Sequence, residues 1–113
     1  MVISKDLIAA SATPIVLSIL SNGDSYGYAI IEEVRRASNG ELEWADGMLY
    51  PILHRIEKKG FVSSYYETAE NGRKRKYYKL KQKGRAELTK SRQHWSYLHN
   101  VLVSLGGDQK CFT

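Results

Sequence analysis

Cysteine and long apolar runs are nearly absent from this sequence. The single cysteine, Cys111, stands close to the C-terminus of the 113-residue chain and has no second thiol for an intrachain disulfide or a shared metal. No apolar run reaches the length of about 18 residues that a membrane span needs. The chain also does not open on a basic segment followed by an apolar one, as an export signal does. We therefore expect a cytoplasmic protein without a membrane span.

The groupings of residues that support catalysis or metal binding are also lacking. The three histidines are His54, His94 and His99, and the last two are five positions apart, which places them on different faces of a helix. The nine glycines form no phosphate-binding loop, and nothing in the sequence positions two carboxylates as an acid and a base. We expect no enzyme activity, no metal and no cofactor.

Basic residues are abundant, but only in one part of the chain. The net charge is +5, and residues 54–92 hold 13 Lys and Arg against 4 Asp and Glu, whereas residues 1–53 hold 3 against 7. A basic excess confined to one third of a small domain is typical of a protein that binds a polyanion, although a merely solvated basic face would look the same by charge alone.

Two helices are predicted before the basic region. Thr13-Pro14 predicts the start of a first helix that ends at Asn22-Gly23, alone or preceded by a short helix over residues 6–11. Ser25 is a candidate cap for a second helix that runs to about residue 37. Its inward stripe is predicted to contain Tyr26, Ile30, Val34 and Ala37.

A third helix follows a turn that we expect to be tight. Leu49, Ile52, Leu53 and Ile56 repeat at helical spacing, and Gly60 supplies a left-handed end. Pro51 lacks a backbone N–H, so the helix must begin near Gly47 or Met48. Two helices joined in this way, the second apolar beneath and basic above, predict a helix-turn-helix.

A β-hairpin is predicted directly after the third helix. Residues 61–67 and 74–80 are rich in Val, Tyr and Phe, and Asn71-Gly72 between them is a strong turn signal. Four consecutive cations, residues 73–76, lie at the end of the turn and at the start of the second strand. A basic hairpin in this position is typical of the wing of a winged helix.

The last helix is predicted over residues 82–105. Apolar residues recur along it at spacings of three and four, and because it follows a complete wing we expect it to pair with a second chain. Packing within its own domain is the open alternative, since the repeat covers fewer than three heptads. The predicted dimer-interface residues are Leu88, Trp95, Leu98, Leu102 and Leu105, with Ser91 on the same seam.

The fold expected from these elements is α+β, mostly α: a winged helix-turn-helix with a long C-terminal dimerisation helix. We divide it into a DNA-binding domain over residues 1–80, a dimerisation helix over 81–106 and a tail over 107–113. Residues at the start of a recognition helix reach base edges in the major groove, while cations on flanking elements bind phosphates. The candidate DNA-binding residues are Ser25, Tyr26, Gly47, Met48, Tyr50, His54, Arg55, Lys58, Arg73, Lys74 and Arg75.

Three segments resemble the signature of the PadR family of transcriptional regulators. They are GMLYPILHRIEKKG over residues 47–60, Tyr26-Gly27-Tyr28 upstream, and GRKRKYYKL over residues 72–80. The single C-terminal helix is similar to that of the short, LmrR-like subgroup. The resemblance implies a homodimeric repressor that binds a pseudo-palindromic operator in double-stranded DNA.

The same resemblance implies a ligand site at the dimer interface, where planar aromatic compounds would lie between two tryptophans. The residues that align with this site are Leu7, Ala10, Pro14, Ser18, Ser91, Trp95 and His99. His99 stands where the subgroup carries an acidic residue, so its choice of ligand does not transfer. Trp95 could equally fill a packed dimer core. A winged-helix protein-interaction module without DNA binding is the alternative function.

Overall fold

The computed structural model describes residues 2–106, which form four helices and a three-stranded sheet. The elements in chain order are α1 (Lys5–Ser21), β1 (Ser25–Tyr26), α2 (Gly27–Ala37), α3 (Asp46–Lys58), β2 (Val62–Thr68), β3 (Lys74–Leu80) and α4 (Gln82–Leu105). The architecture is the predicted α+β, mostly α, winged helix-turn-helix. Cys111 and the predicted tail 107–113 lie outside the described residues.

The predicted start of the first helix at Thr13-Pro14 is wrong. A single helix, α1, begins at Lys5, and the side chain of Ser4 caps it by accepting a hydrogen bond from the Leu7 N–H at 3.2 Å. Pro14 lies inside this helix. Proline deprives the carbonyl four residues earlier of its helical partner, and here that residue is Ala10, which is exposed to water.

The predicted cap at Ser25 is also wrong. Ser25 and Tyr26 are extended and pair with Tyr78 and Tyr77 of β3, so α2 begins only at Gly27. Tertiary pairing therefore overrides the local capping preference of serine. The predicted end of α2 at Ala37 is confirmed, but Ala37 itself is exposed and does not belong to the inward stripe.

The turn of the helix-turn-helix is longer than the tight turn predicted from the sequence. Residues 38–45 separate α2 from α3, and Asn39 and Gly40 both take positive φ angles, of 53° and 82°. The loop keeps a fixed path because Trp44 is buried in the core and Leu42 packs against it. Burial of Trp44 thus holds the eight-residue loop against the core, although the loop is longer than a tight turn.

The wing forms as predicted. β2 and β3 pair antiparallel over their full length, with Val62 opposite Leu80 at the base and Thr68 opposite Lys74 at the tip. Gly72 takes a φ of 83° in the turn between them. The missed element is β1, which gives the sheet the order β1-β3-β2. β1 pairs with Tyr77 and Tyr78, and within residues 2–106 no strand covers that edge of β3 from Lys74 to Lys76.

The core lies between α1, α2, α3, the base of the sheet and the start of α4. It confirms the predicted apolar faces of α2 and α3 at Ile30, Val34, Leu49, Leu53 and Ile56. Burial of each such side chain contributes roughly 1.5–3 kcal/mol. The core thus fixes α3 against α2 and against the base of the wing.

Candidate nucleic-acid interface

A cleft separates the wing from the start of α2. It is bounded by the N-terminus of α2, by Tyr50 on α3 and by the edge of β3 near the wing tip, and its volume is ≈ 370 Å³. Cations and tyrosines make up most of its wall. The lining residues are Tyr26, Gly27, Tyr28, Tyr50, Asn71, Arg73, Lys74, Arg75 and Lys76. The predicted wing cations and the predicted helix residue Tyr50 therefore face one shared space.

Aromatic contacts hold one of the wing cations in place. The Arg75 guanidinium lies 4.6 Å from the centre of the Tyr26 ring, a cation–π distance. Tyr26 in turn packs edge-on against Tyr77, which stacks on Tyr65 with ring centres 5.6 Å apart. This row explains why Tyr26 is half-buried. Its ring supports Arg75 while still lining the cleft.

A hydrogen bond ties the wing to the loop before β1. The Tyr65 hydroxyl donates to the Asp24 carboxylate at 2.7 Å. This bond to the carboxylate raises the pKa of Tyr65 to about 12, because loss of the phenolic proton would set two negative charges side by side. The loop after α1 and the base of the wing are thereby joined.

The outer face of α3 carries four of the six DNA-binding residues predicted on this helix. Gly47, Tyr50, His54 and Lys58 are exposed on it, opposite the buried apolar stripe. A side chain at position 47 would meet no atom within 4 Å, so the start of the helix presents an open backbone. This face is free to approach the floor of a DNA groove.

Two predicted contacts on α3 have other partners in the structure. Met48 is half-buried and packs against the core, and its part in DNA binding stays a prediction. Arg55 is exposed, but its guanidinium donates to the Thr13 hydroxyl on α1 at 3.3 Å. Arg55 therefore lies on the α1 flank of the helix, away from the wing.

Helix α4 buries the leucine of its first half and exposes the leucines of its second half. Leu88, in its first half, is only 3% exposed and belongs to the core of its own chain, so we correct it from an interface residue to a core residue. Beyond it the apolar row emerges into solvent: Leu98, Leu102 and Leu105 are 53%, 72% and 77% exposed. The second half of α4 thus presents an uncovered apolar face.

A groove of ≈ 560 Å³ lies between α1, α2 and α4. Three of the seven residues predicted for a ligand site, Pro14, Ser18 and Trp95, line it. Arg92 also lines it and donates to the Ser18 hydroxyl at 3.2 Å. The other four predicted residues lie on the same two helices: Leu7, Ala10 and His99 are exposed, and Ser91 is half-buried.

Residues 2–106 contain no group of three or more His, Cys, Asp or Glu side chains arranged to hold a metal ion. None of the four helices is long and apolar enough to cross a membrane.

Several participants in this interface were not predicted from the sequence. Tyr28 and Asn71 line the cleft, and Asp24 anchors the wing through Tyr65. Tyr28 belongs to the Tyr26-Gly27-Tyr28 motif, so the resemblance of this motif to the PadR family could have indicated a role for it. The partnership of Asp24 with Tyr65 spans 41 positions, and nothing local in the sequence indicates it.

Residues 16–90 match the profile of the Transcriptional regulator PadR-like family. A solved transcriptional regulator from Clostridium thermocellum is 31% identical, with a TM-score of 0.84, and the match covers 93% of this chain and 99% of that one. A PadR family transcription regulator from Clostridium difficile is 32% identical, with a TM-score of 0.74 and coverage of 84% and 97%. An uncharacterised protein from Lysinibacillus sphaericus is 29% identical over 100 residues, which are 88% of this chain and 92% of that relative.

Proposed function

Because this chain belongs to the PadR-like family of transcriptional regulators, we propose that it represses transcription as a homodimer on a pseudo-palindromic operator in double-stranded DNA. Membership of the family makes it a DNA-binding regulator and not an enzyme. The repression, the dimer, the operator symmetry and a location in the cytoplasm are our proposals. The observation that carries the proposed DNA binding is the placement of the wing cations Arg73, Lys74 and Arg75 in one cleft with Tyr50 of α3.

The DNA-binding surface we propose combines the outer face of α3 with the cleft beside it. In this arrangement α3 enters the major groove, with Gly47, Tyr50 and His54 nearest the base edges and Lys58 towards the backbone. Arg73, Lys74 and Arg75 project from the wing next to that face and would bind phosphates or the minor groove. Ser25 and Tyr26 of β1 and Tyr28 in the first turn of α2 complete the phosphate side, whereas the Thr13 contact of Arg55 makes it a flanking residue.

The uncovered face of α4 supports the dimer. A helix of 24 residues is about 36 Å long, and Leu98, Leu102 and Leu105 form an apolar row along its second half. Apolar rows of this kind are stabilised when a second helix covers them. A twofold dimer through α4 would present two α3 helices about 34–36 Å apart, one turn of DNA. We thus keep residues 1–80 as the DNA-binding part and 81–106 as the dimerisation helix.

The groove beside Trp95 supports a regulatory ligand. A planar aromatic compound stacked on this indole would lie where α1 meets α4, between the DNA-binding domain and the dimerisation helix. Such a compound releases DNA only if it binds the free arrangement of the two domains more tightly than the DNA-bound one. Planar dyes should quench the fluorescence of the wild-type chain and should bind Trp95→Ala weakly. Equal binding by both chains would contradict the site.

Selection of duplexes from a random pool tests the function directly. We expect the purified chain to enrich sequences with two related half-sites, and a variant carrying Arg73→Ala, Lys74→Ala and Arg75→Ala to enrich none under the same conditions. A wild-type chain that retains no duplex, even in dilute buffer, would contradict DNA binding. It would favour the alternative of a winged-helix protein-interaction module.

A further inference from the structure

One carboxylate contacts both strands of the wing from the recognition helix. Glu57 lies on the side of α3 that faces the sheet. The Ser64 hydroxyl, on β2, donates to one of its carboxylate oxygens, and the Lys76 ammonium, on β3, lies 3.8 Å from the other. The side chains of Glu57 and Lys76 are 34% and 40% exposed, so water screens the ion pair only partly.

Lys76 and the neighbouring Arg75 point to opposite faces of β3. Side chains alternate between the two faces of a strand, and Lys76 shares the face of Tyr78, which is buried against the core. Its ammonium lies 5.6 Å from the centre of the Tyr78 ring. The neighbouring Arg75 points to the other face, where it lies on Tyr26. Lys76 thus lines the cleft with the other wing cations, but its ammonium is turned towards Glu57 on α3 and the Tyr78 ring.

An acidic residue at this place needs an explanation. Glu57 lies beside a surface that we assign to DNA, and residues 54–92 are otherwise strongly basic. A carboxylate close to phosphates weakens DNA binding by charge repulsion. Its contacts to Ser64 and Lys76 join the recognition helix to both wing strands, and the helix and the wing must engage the same duplex together.

We propose that Glu57 is a positioning residue that fixes the angle between the recognition helix and the wing through Ser64 and Lys76. The inference rests on the proposed DNA-binding function and adds a residue that contacts no DNA itself. Glu57 acts on affinity only by holding the wing cations and the outer face of α3 in one arrangement.

The sign of the change in affinity tests this role, measured by fluorescence anisotropy on a duplex that the wild-type chain binds. Glu57→Gln removes a negative charge, so a residue acting only through its charge would give tighter binding. A positioning residue gives weaker binding, by about three- to tenfold for the loss of these contacts. Glu67→Gln is the matched control, because Glu67 is an exposed acid on β2 opposite Arg75. It should bind as tightly as the wild type or more tightly.

Two further variants separate positioning from charge and from loss of fold. Lys76→Met should weaken binding without lowering the slope of log affinity against log salt, whereas a lost phosphate contact lowers it by about one unit. In the Lys76→Met background, Glu57→Gln should cause little further loss, since the two residues act as a pair. Ser64→Ala, which leaves the charge unchanged, should also weaken binding, by about two- to threefold. Thermal melting should show that all variants remain folded.

Tighter or unchanged binding by a folded Glu57→Gln chain would overturn this inference alone. So would a salt slope that falls by a full unit in Lys76→Met, because Lys76 would then contact phosphate. A wild-type chain that binds no duplex would overturn the proposed function and this inference together.

Discussion

The Tyr50 hydroxyl occupies the space that a side chain at position 27 would need. A methyl group on Gly27 would lie 2.5 Å from the Tyr50 oxygen and 2.9 Å from the ring carbon that carries it. The missing side chain at the first residue of α2 therefore lets Tyr50 close one side of the cleft. This contact joins two of the three sequence segments that resemble the PadR family, the one around Tyr26-Gly27-Tyr28 and the one that begins at Gly47.

Gly27→Ala should destabilise the wild-type chain by about 1 kcal/mol, the low end of the usual cost of overpacking, because the Tyr50 ring that must shift is 47% exposed. The same substitution should cost little in a Tyr50→Ala background, because the clashing ring is gone. Chemical denaturation of the two single variants and the double variant measures this coupling. Equal costs in both backgrounds would show that Tyr50 does not set the requirement for glycine.

Gly84→Ala should be more damaging than Gly27→Ala. A methyl group there would lie 2.2 Å from the Phe61 carbonyl oxygen, which belongs to the backbone and also accepts the Lys81 N–H at 2.9 Å. Backbone at the base of the wing cannot move aside as a side chain can, so the loss of unfolding free energy should exceed about 3 kcal/mol. Gly47→Ala is the control: it has open space and should stabilise α3 by about 0.5–1 kcal/mol. A Gly84→Ala chain as stable as this control would contradict the close packing.

Alkaline pH should weaken the contact between the wing and the loop before β1. The folded chain keeps the Tyr65 proton up to about pH 12, whereas an unfolded tyrosine loses it near pH 10. The contribution of the Asp24 bond is therefore complete below about pH 10 and is lost as the pH rises towards about 12. The melting temperature of the wild type should fall more steeply over this interval than that of Tyr65→Phe. Parallel curves would contradict the raised pKa of Tyr65.

Arg73→Ala should lower the slope of log affinity against log salt by about one unit, because one phosphate contact and its released counterion are lost. Arg36→Ala is the control, since Arg36 is already paired with Glu33 on α2. Affinity measured over a series of salt concentrations gives both slopes. A slope in Arg73→Ala equal to that of the wild type would remove Arg73 from the interface.

Leu102→Asp should convert the proposed dimer into a monomer, because it places a charge in the middle of the apolar row of α4. Asn100→Asp adds the same charge two positions away, towards the opposite face of the helix, and should leave the dimer intact. Sedimentation equilibrium distinguishes the two states. A dimeric Leu102→Asp chain would show that the subunits pair through another surface.

The sequence was most informative where one local pattern determines one element. The apolar repeat of α3, the Asn71-Gly72 turn and the bounds of α4 were predicted closely, because each depends on spacing within a few residues. The start of α1 was missed because Thr13-Pro14 resembles a helix start, whereas the helix continues through Pro14, and Ala10, whose carbonyl loses its helical partner there, is an exposed residue.

Elements and site contacts that depend on residues far apart in the chain could not be predicted from local sequence patterns. β1 exists because Ser25 and Tyr26 meet β3 more than 50 positions later. Leu88 fits the heptad spacing of α4, and only the docking of the first half of that helix shows it to be a core residue. The four consecutive cations of the wing likewise look equivalent in sequence. The strand faces separate Lys76, turned towards Glu57, from Arg75 on Tyr26.

The number of chains bound to one operator-length duplex tests the central claim most directly. Sedimentation of the chain with a selected duplex, repeated at increasing salt, should show two chains per duplex at low salt and steep dissociation as salt rises. A chain that stays monomeric and leaves the duplex free at the lowest salt would contradict the account.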